Sequence, residues 1–351
     1  MAEPVAGTIS PREGLDVARL DAFLKRVGVV VEGSPEVLQF SGGASNLTYL
    51  LRYANRDLVL RRPPFGHKAK SAHDMLREAA ILRALKPHFP LVPAVVATCE
   101  DVDVLGAEFV VMERLVGVVP QRDLPAGVVL SAEAARALGE AMVDRLVDLH
   151  AIDIEATGLS AVGKGQGYVR RQIDGWTQRF RDARTDDVAD FETVMAWLAA
   201  ERPAGESRIC LIHNDYKLDN LVLAAADPSR IVGVLDWEMA ALGDPLMELG
   251  SSLAYWVEAG DDAGMRAIRR QPSHLPGMPT RAEIVARYGE KTGLDVSNFR
   301  FYEVYGLFRL AGIAQQIYRR HRDGQAKNPA FAGFGQAVSY LESRCRRLIG
   351  G

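Results

Sequence analysis

The stretch Leu211-Ile212-His213-Asn214-Asp215-Tyr216-Lys217-Leu218-Asp219-Asn220-Leu221-Val222-Leu223, followed after a polar turn by Ile231-Val232-Gly233-Val234-Leu235-Asp236-Trp237-Glu238, decides how this chain reads. Short apolar runs alternate with polar residues, and Asp215, Asn220 and Asp236 stand at the mouths of those runs. Charges beside apolar strands are costly unless they are used. An acid, an amide five residues on and a second acid sixteen residues later can serve one reaction. Asp215 can accept a proton from a substrate hydroxyl. Asn220 and Asp236 can offer hard oxygens to magnesium. Kinase-type phosphoryl transfer divides its labour in this way.

Working outward, Leu20, Phe23, Leu24 and Val27 recur at helical spacing and predict an opening helix over 13–27. Three short strands are predicted at 37–40, 47–53 and 58–61, with Gly42-Gly43 and Ala54-Asn55-Arg56-Asp57 as turns. Met75, Ala79, Leu82 and Leu85 make one face of a helix over 71–86, and strands follow at 95–98 and 107–112. Beyond a connector at 113–120 the period turns helical. Helices are expected over 134–150, with Ser131 as N-cap, over 168–183 and over 187–200. A strand pair surrounds Asp215–Asp236. The remainder reads helical, with breaks near 260–264 and 271–279. The expectation is an α+β chain of two lobes: a small β-rich lobe over 1–115 and a larger, mainly helical lobe over 116–351, with a ligand cleft at their junction.

Composition narrows the function classes. A chain of 351 residues is long for one core, and 48% hydrophobic with 25% charged residues suits a soluble globular protein. A net charge of −3 gives no reason to expect nucleic acid or an anionic membrane as partner. No apolar run reaches the length of about 18 residues that a bilayer demands, and Met1-Ala2-Glu3-Pro4-Val5-Ala6-Gly7 lacks the basic and apolar regions expected of a signal peptide. Cys99, Cys210 and Cys345 lack metal-ligand spacing and are expected to pack as small apolar residues in a reducing cytoplasm.

The motif residues resemble the aminoglycoside phosphotransferase family, which has a protein-kinase-like fold. His213-Asn214-Asp215-Tyr216-Lys217-Leu218-Asp219-Asn220 is similar to that family's His-x-Asp-x-x-x-x-Asn catalytic loop. Asp236-Trp237-Glu238 stands where the family has its metal-binding acid, and Gly243-Asp244-Pro245 with Glu248 resembles its Gly-Asp-Pro signature. Within the family, Gln39–Asn46, Val59–Pro64, Gly106–Glu113 and Arg171–Trp176 resemble the kinase-like domain carried at the N-terminus of some acyl-CoA dehydrogenases. Those proteins have been linked to phosphorylating hydroxyacyl-CoA thioesters. The resemblance implies a two-lobed kinase fold and an ATP- and Mg2+-dependent phosphotransferase acting on a hydroxyl of a small molecule. A hydroxyacyl-CoA or other hydroxylated metabolite is then favoured over an antibiotic.

Each residue has a role to be weighed against a plainer one. Asp215 is expected as the base rather than a turn cap, and Lys217 either reaches the γ-phosphate or is a solvated lysine. Asn220 and Asp236 are expected as the metal pair. Ser41, Gly42, Gly43, Ser45 and Asn46 form a loop whose backbone N–H groups can approach phosphate, although two adjacent glycines also suit an ordinary hairpin. Arg61 stands where the family usually has a lysine that reaches the α- and β-phosphates, and Arg62 follows it. Strand alternation lets one of the two face inward, and Arg61 is chosen, paired with Glu78. Met112, Glu113 and Leu115 are expected to take the adenine. His213, Asp219, Asp244 and Glu248 read as structural support, and Tyr168, Arg171, Trp176, Tyr255 and Trp256 either line an acceptor site or pack in the core. A mixed set of acids and arginines over 261–295 does not single out a cationic acceptor. Two alternatives stay open: a pseudokinase that binds nucleotide and acts by protein contact, and a hydrolase in which water accepts the phosphate.

Overall fold

The computed structural model describes residues 15–40, 46–64 and 75–350. In chain order the helices are α1 (Val17–Arg26), α2 (Met75–Leu85), α3 (Val102–Leu105), α4 (Ala132–His150), α5 (Tyr168–Ala183), α6 (Glu192–Ala200), α7 (Pro245–Leu253), α8 (Ala263–Ala267), α9 (Arg281–Thr292), α10 (Arg300–Arg322) and α11 (Phe334–Gly350). The strands are β1 (Glu36–Gln39), β2 (Leu47–Arg52), β3 (Asp57–Arg62), β4 (Val95–Cys99), β5 (Phe109–Glu113), β6 (Cys210–Ile212), β7 (Leu221–Leu223), β8 (Ile231–Val234) and β9 (Ala241–Gly243). A β-sheet region followed by a helical region is the protein-kinase-like α+β fold that the motif order implies. Among the described residues, no helix is long and apolar enough to cross a membrane.

Contacts divide the chain into two units. The first takes the described residues up to Val119 together with Leu221–Asp227 and Ile231–Met239. Its sheet is antiparallel in the order β1-β2-β3-β5-β4. Successive side chains alternate between the two faces. Leu58 and Leu60 join Tyr49, Leu51, Phe109 and Val111 in a core closed by Leu20, Phe23 and Leu24 of α1. Arg62 falls on that face and is 1% exposed, donating to the Leu105 and Pro63 carbonyls. Arg61, one residue earlier, falls on the face where Glu78 of α2 stands.

The β7–β8 hairpin belongs to this first unit, whereas a division at residue 115 leaves it in the second part of the chain. Its partners explain the difference. Val118 and Leu223 exchange backbone hydrogen bonds of 2.8 and 2.7 Å, and the Val234 N–H donates to the Leu91 carbonyl. A Cβ on Gly233 would stand 2.5 Å from Leu115 Cδ1, so a larger residue there would have to push that leucine side chain aside. Fully buried Trp237 meets the Phe89 ring edge to face at 6.1 Å. Two strands of three and four residues cannot form a core, so they complete one made with Phe89 and Leu91, before β4, and with Leu115 and Val118, after β5.

The second unit takes Pro120–Asn220, Pro228–Arg230 and Ala240–Gly351. Its centre is α10, whose first half buries Phe301, Tyr302, Val304, Tyr305, Leu307 and Phe308 on all sides, as an interior helix must. Phe180 of α5, Phe191 and Phe308 form a three-ring cluster with centroids 4.8–6.0 Å apart. Against α10 lies α7, and the two cross at glycines. A Cβ on Gly306 would stand 2.0 Å from the Gly250 carbonyl oxygen, and one on Gly250 would stand 2.2 Å from that of Tyr302. Ser131 caps α4 through the Ala134 N–H at 3.1 Å. Strand β6 pairs with β9, not with β7.

Candidate active site

In the first unit, β3, α2 and the end of β8 bring charged side chains together. Arg61 forms an ion pair with Glu78, which is 1% exposed, and reaches Asp236 Oδ1 at 3.0 Å and Glu238 Oε2 at 3.5 Å. Burial works against the guanidinium charge, but Glu78, Asp236 and Glu238 outweigh it and hold the Arg61 pKa above its usual value. Asn46 donates to Glu238 Oε2 at 2.8 Å. Asp236 itself has φ +67°, a left-handed conformation that aspartate tolerates better than most residues, and this turns the chain sharply after β8. Its side chain is 38% exposed, so the carboxylate is presented to solvent while Arg61 holds one oxygen.

In the second unit, the loop after β6 builds the other cluster. Lys217 Nζ lies 3.1 and 2.9 Å from the two Asp215 oxygens. The Asn220 amide nitrogen donates to the Asp215 carbonyl at 2.8 Å and to its Oδ2 at 2.9 Å. Among the described residues the amide oxygen of Asn220 accepts no hydrogen bond. Burial opposes the Lys217 charge, while Asp215 and then Asp219 hold its pKa above the ordinary lysine value. Burial pushes the half-buried Asp219 carboxyl up to about 6, against the pull of Lys217 3.8 Å away.

The loop is pinned immediately before Asp215. Asn214 has φ +67°. Its amide oxygen accepts from Tyr168 Oη at 2.7 Å and its carbonyl from Arg309 Nη2 at 2.9 Å, while its N–H donates to Glu248. Burial raises the Tyr168 pKa well above the usual phenol value, so the hydroxyl stays a donor. Glu248 also accepts from the His213 N–H at 3.0 Å and contacts His150 Nε2 at 2.7 Å, whose other ring nitrogen meets Tyr288 Oη at 2.7 Å. His213 is fully buried, and its Nδ1 accepts from the Asp215 N–H at 3.2 Å. Asp244 caps α7 through the Leu246 and Met247 N–H groups, and burial raises its pKa despite them. Gln271 Oε1 accepts from the Leu218 N–H at 2.8 Å.

Among the expected site residues, Arg61, Glu78, Asp236 and Asn46 therefore share one cluster, and Asp215, Lys217 and Asn220 share another. Met112 is buried on β5, Glu113 is exposed and pairs with Arg56 at 3.3 Å, and Leu115 packs by Gly233. Ser41, Gly42, Gly43 and Ser45 lie outside the described residues. Trp256 is core, donating to the Pro279 carbonyl, and Arg171 is exposed and bound to the Gln166 carbonyl. Sequence reasoning passed over Glu238, Gln271, His150 and Arg309. For Arg309 a signal exists: it is the one arginine between Tyr305, Phe308 and Gly312, on a helix otherwise apolar there.

A family model described as the phosphotransferase enzyme family matches residues 36–284. Mouse acyl-CoA dehydrogenase family member 10 is 35% identical over 312 residues, covering 88% of this chain and 29% of the relative. Mouse acyl-CoA dehydrogenase family member 11 is 33% identical over 328 residues, covering 90% of this chain and 41% of the relative. The chain thus spans less than half the length of these curated relatives. A crystal structure from Ralstonia eutropha JMP134, provisionally described as an aminoglycoside phosphotransferase, superposes with a TM-score of 0.81 at 28% identity, covering 95% of this chain and 98% of that one. With the model spanning the sheet, the Asp215 loop and the Asp236 turn alike, the chain belongs to the phosphotransferase enzyme family of aminoglycoside phosphotransferases and their kinase-like relatives.

Proposed function

We propose that this small-molecule kinase moves the γ-phosphoryl group of magnesium–ATP to a hydroxyl, and that the acceptor is a hydroxyacyl-CoA or another hydroxylated metabolite rather than an antibiotic. The observation that carries the reading is the Asp215 carboxylate, oriented by Lys217 and Asn220 on a loop pinned at Asn214. In this reading Asp215 takes the proton of the acceptor hydroxyl as the new P–O bond forms and the bond to the leaving ADP oxygen breaks. Lys217 holds Asp215 in place and offers positive charge to the transferred group. Arg61, fixed by Glu78, presents its guanidinium to the α- and β-phosphates and keeps Asp236 turned outward.

The residues fit a magnesium–nucleotide. The partly exposed carboxylate of Asp236 and the oxygen of the Asn220 amide are hard donors, and magnesium takes only one or two protein oxygens beside water and phosphate. When bound, the ion neutralises charge on the β- and γ-phosphate oxygens. A CoA-linked acceptor is supported by the two mouse relatives, which are named acyl-CoA dehydrogenase family members.

The test is ATP consumption across a metabolite library, with the Asp236→Ala protein as blank. Acceptor-dependent ADP release with a 4-hydroxyacyl-CoA and none with kanamycin is the expected result. Release that needs no added alcohol would identify water as acceptor and overturn the transferase reading. Nucleotide binding without any release would mark a pseudokinase.

A further inference from the structure

Two successive backbone N–H groups, those of His213 and Asn214, converge on one carboxylate just before the chain reaches Asp215. Paired turn amides make a seat for an anion, and here the anion is Glu248 of α7, 2% exposed. Oε2 takes the His213 N–H and Oε1 takes that of Asn214. Glu248 has one further partner among the described residues. His150 of α4, equally buried, brings Nε2 to 2.7 Å from the same Oε2. Behind it, fully buried Tyr288 of α9 brings Oη to 2.7 Å from His150 Nδ1. The two rings meet edge to face at 5.9 Å. Three helices thus supply one chain of polar groups, and it ends on the loop that carries the candidate base.

The donors and acceptors along this chain can be assigned. An ionised carboxylate only accepts, so Nε2 donates to Glu248. Among the described residues Tyr288 Oη meets no other acceptor, so its proton has Nδ1 alone to go to. Burial lifts the Tyr288 pKa above the ordinary phenol value, which keeps that proton on the oxygen. A ring that accepts at Nδ1 and donates at Nε2 is the neutral Nε2–H tautomer. The other tautomer would turn a lone pair towards the carboxylate, and a doubly protonated ring would strand the buried Tyr288 proton. Hydrocarbon side chains at 150 and 288 would pack between the helices with no polar group to satisfy. The use of the polar pair therefore lies at the end of the chain, where the carboxylate must face the loop with one oxygen for each N–H.

We infer that Tyr288 and His150 are positioning residues for phosphoryl transfer: the Tyr288 hydroxyl holds His150 in its Nε2–H form, His150 fixes the plane of the Glu248 carboxylate, and Glu248 sets where Asp215 stands. This rests on Asp215 acting as the base, as proposed above.

The test uses the full chain as wild type, Tyr288→Phe, His150→Gln and His150→Leu. Glutamine keeps an N–H donor near the place of Nε2, and leucine does not. Nitrogen NMR of protein labelled at its histidines identifies the His150 ring as the one missing from His150→Gln. It is expected to carry a proton on Nε2 and none on Nδ1; a ring protonated at Nδ1 overturns the inference. In Tyr288→Phe, amide hydrogen exchange over 210–218 is expected to quicken about five- to tenfold, the loss of one hydrogen bond, with the rest of the chain unchanged. With a 4-hydroxyacyl-CoA as acceptor, kcat of Tyr288→Phe is expected to fall about tenfold, while KM and magnesium–ADP affinity hold. His150→Gln is expected to stay within about threefold of wild type and His150→Leu to lose about tenfold or more. Exchange that quickens uniformly with kcat unchanged, or equal kcat in the glutamine and leucine variants, marks a role in stability alone and overturns the inference. If His150→Leu does not fold, Tyr288→Phe decides by the same readouts. A wild type that turns over no 4-hydroxyacyl-CoA refutes the acceptor reading and not the positioning chain. The ring tautomer and the exchange over 210–218 then decide the chain: an unchanged exchange refutes it.

Discussion

Replacing Asn214 tests how the candidate base is held. Its left-handed backbone, φ +67°, is tolerable for asparagine, but alanine forced into that region loses about 1–2 kcal/mol. Alanine also strips the acceptor from the Tyr168 hydroxyl, which is buried and bonded at 2.7 Å. A buried donor left without its partner costs about 1–3 kcal/mol. Asn214→Ala is therefore expected to destabilise the protein by about 2–5 kcal/mol. Asn214→Gly removes the backbone part and keeps the lost hydrogen bond, offset by the looser unfolded chain that glycine adds, about 0.5–1 kcal/mol. The alanine variant should then be the less stable of the two. Urea denaturation gives the free energies, and a double-mutant cycle with Tyr168→Phe isolates the hydrogen bond, with an expected coupling of about 1 kcal/mol. Because Asp215 is the next residue, kcat should fall at least tenfold, on the order of the loss from a misplaced reacting group, while magnesium–ADP affinity holds. An alanine variant as stable as the glycine one, or a cycle with no coupling, would refute the reasoning.

Asp215→Asn should lower kcat by about 10²- to 10⁴-fold with little change in nucleotide affinity, read by coupled ADP assay and ADP titration; a parallel loss of binding would remove Asp215 from the base role. Glu78→Ala leaves the buried Arg61 without its most enclosed counter-charge and should cost about 3–5 kcal/mol, measured by urea denaturation; a loss below 1 kcal/mol, the range of exposed pairs, would show that Asp236 and Glu238 suffice. Asp219, with a folded pKa of about 6 above its unfolded value, should be least costly below about pH 4 and most costly above pH 6. Asp219→Asn should accordingly gain about 2 kcal/mol over wild type at pH 7 and nothing at pH 3.5, in metal-free and nucleotide-free protein; a pH-independent difference would contradict the burial argument.

Elements with a strong period were legible before any coordinates. The spacing over 168–183 predicts α5 at its observed bounds, Tyr168–Ala183, and Ser131 caps α4 as its residue type suggests. Elements without room for a period were not. Ala241-Leu242-Gly243 is three residues long, and nothing in it announces that it pairs with Cys210–Ile212. The helix expected over 187–200 starts instead at Glu192, because Phe191 has φ +58° and breaks the run. The site divides along the same line. Asp215, Lys217 and Asn220 lie within five residues, so a local motif reports their proximity. Glu248 and Arg309 reach the loop from helices far along the chain, with His150 behind Glu248, and long-range hydrogen bonds leave no periodic trace. Arginines 281 and 287 looked available for an anion because sequence shows charges but not the acids folded against them.

The glycine crossing of α7 and α10 has a consequence for anyone wishing to redirect this enzyme. Backbone rests on backbone at Gly250 and Gly306, with no side chain between to act as a bearing. The helix carrying Glu248 and the helix carrying Arg309 thus meet backbone to backbone, and a shift of one presses directly on the other and on the loop that Glu248 grips. Redesign of the surroundings of the Asp215 loop therefore starts from side chains rather than from the crossing of these two helices.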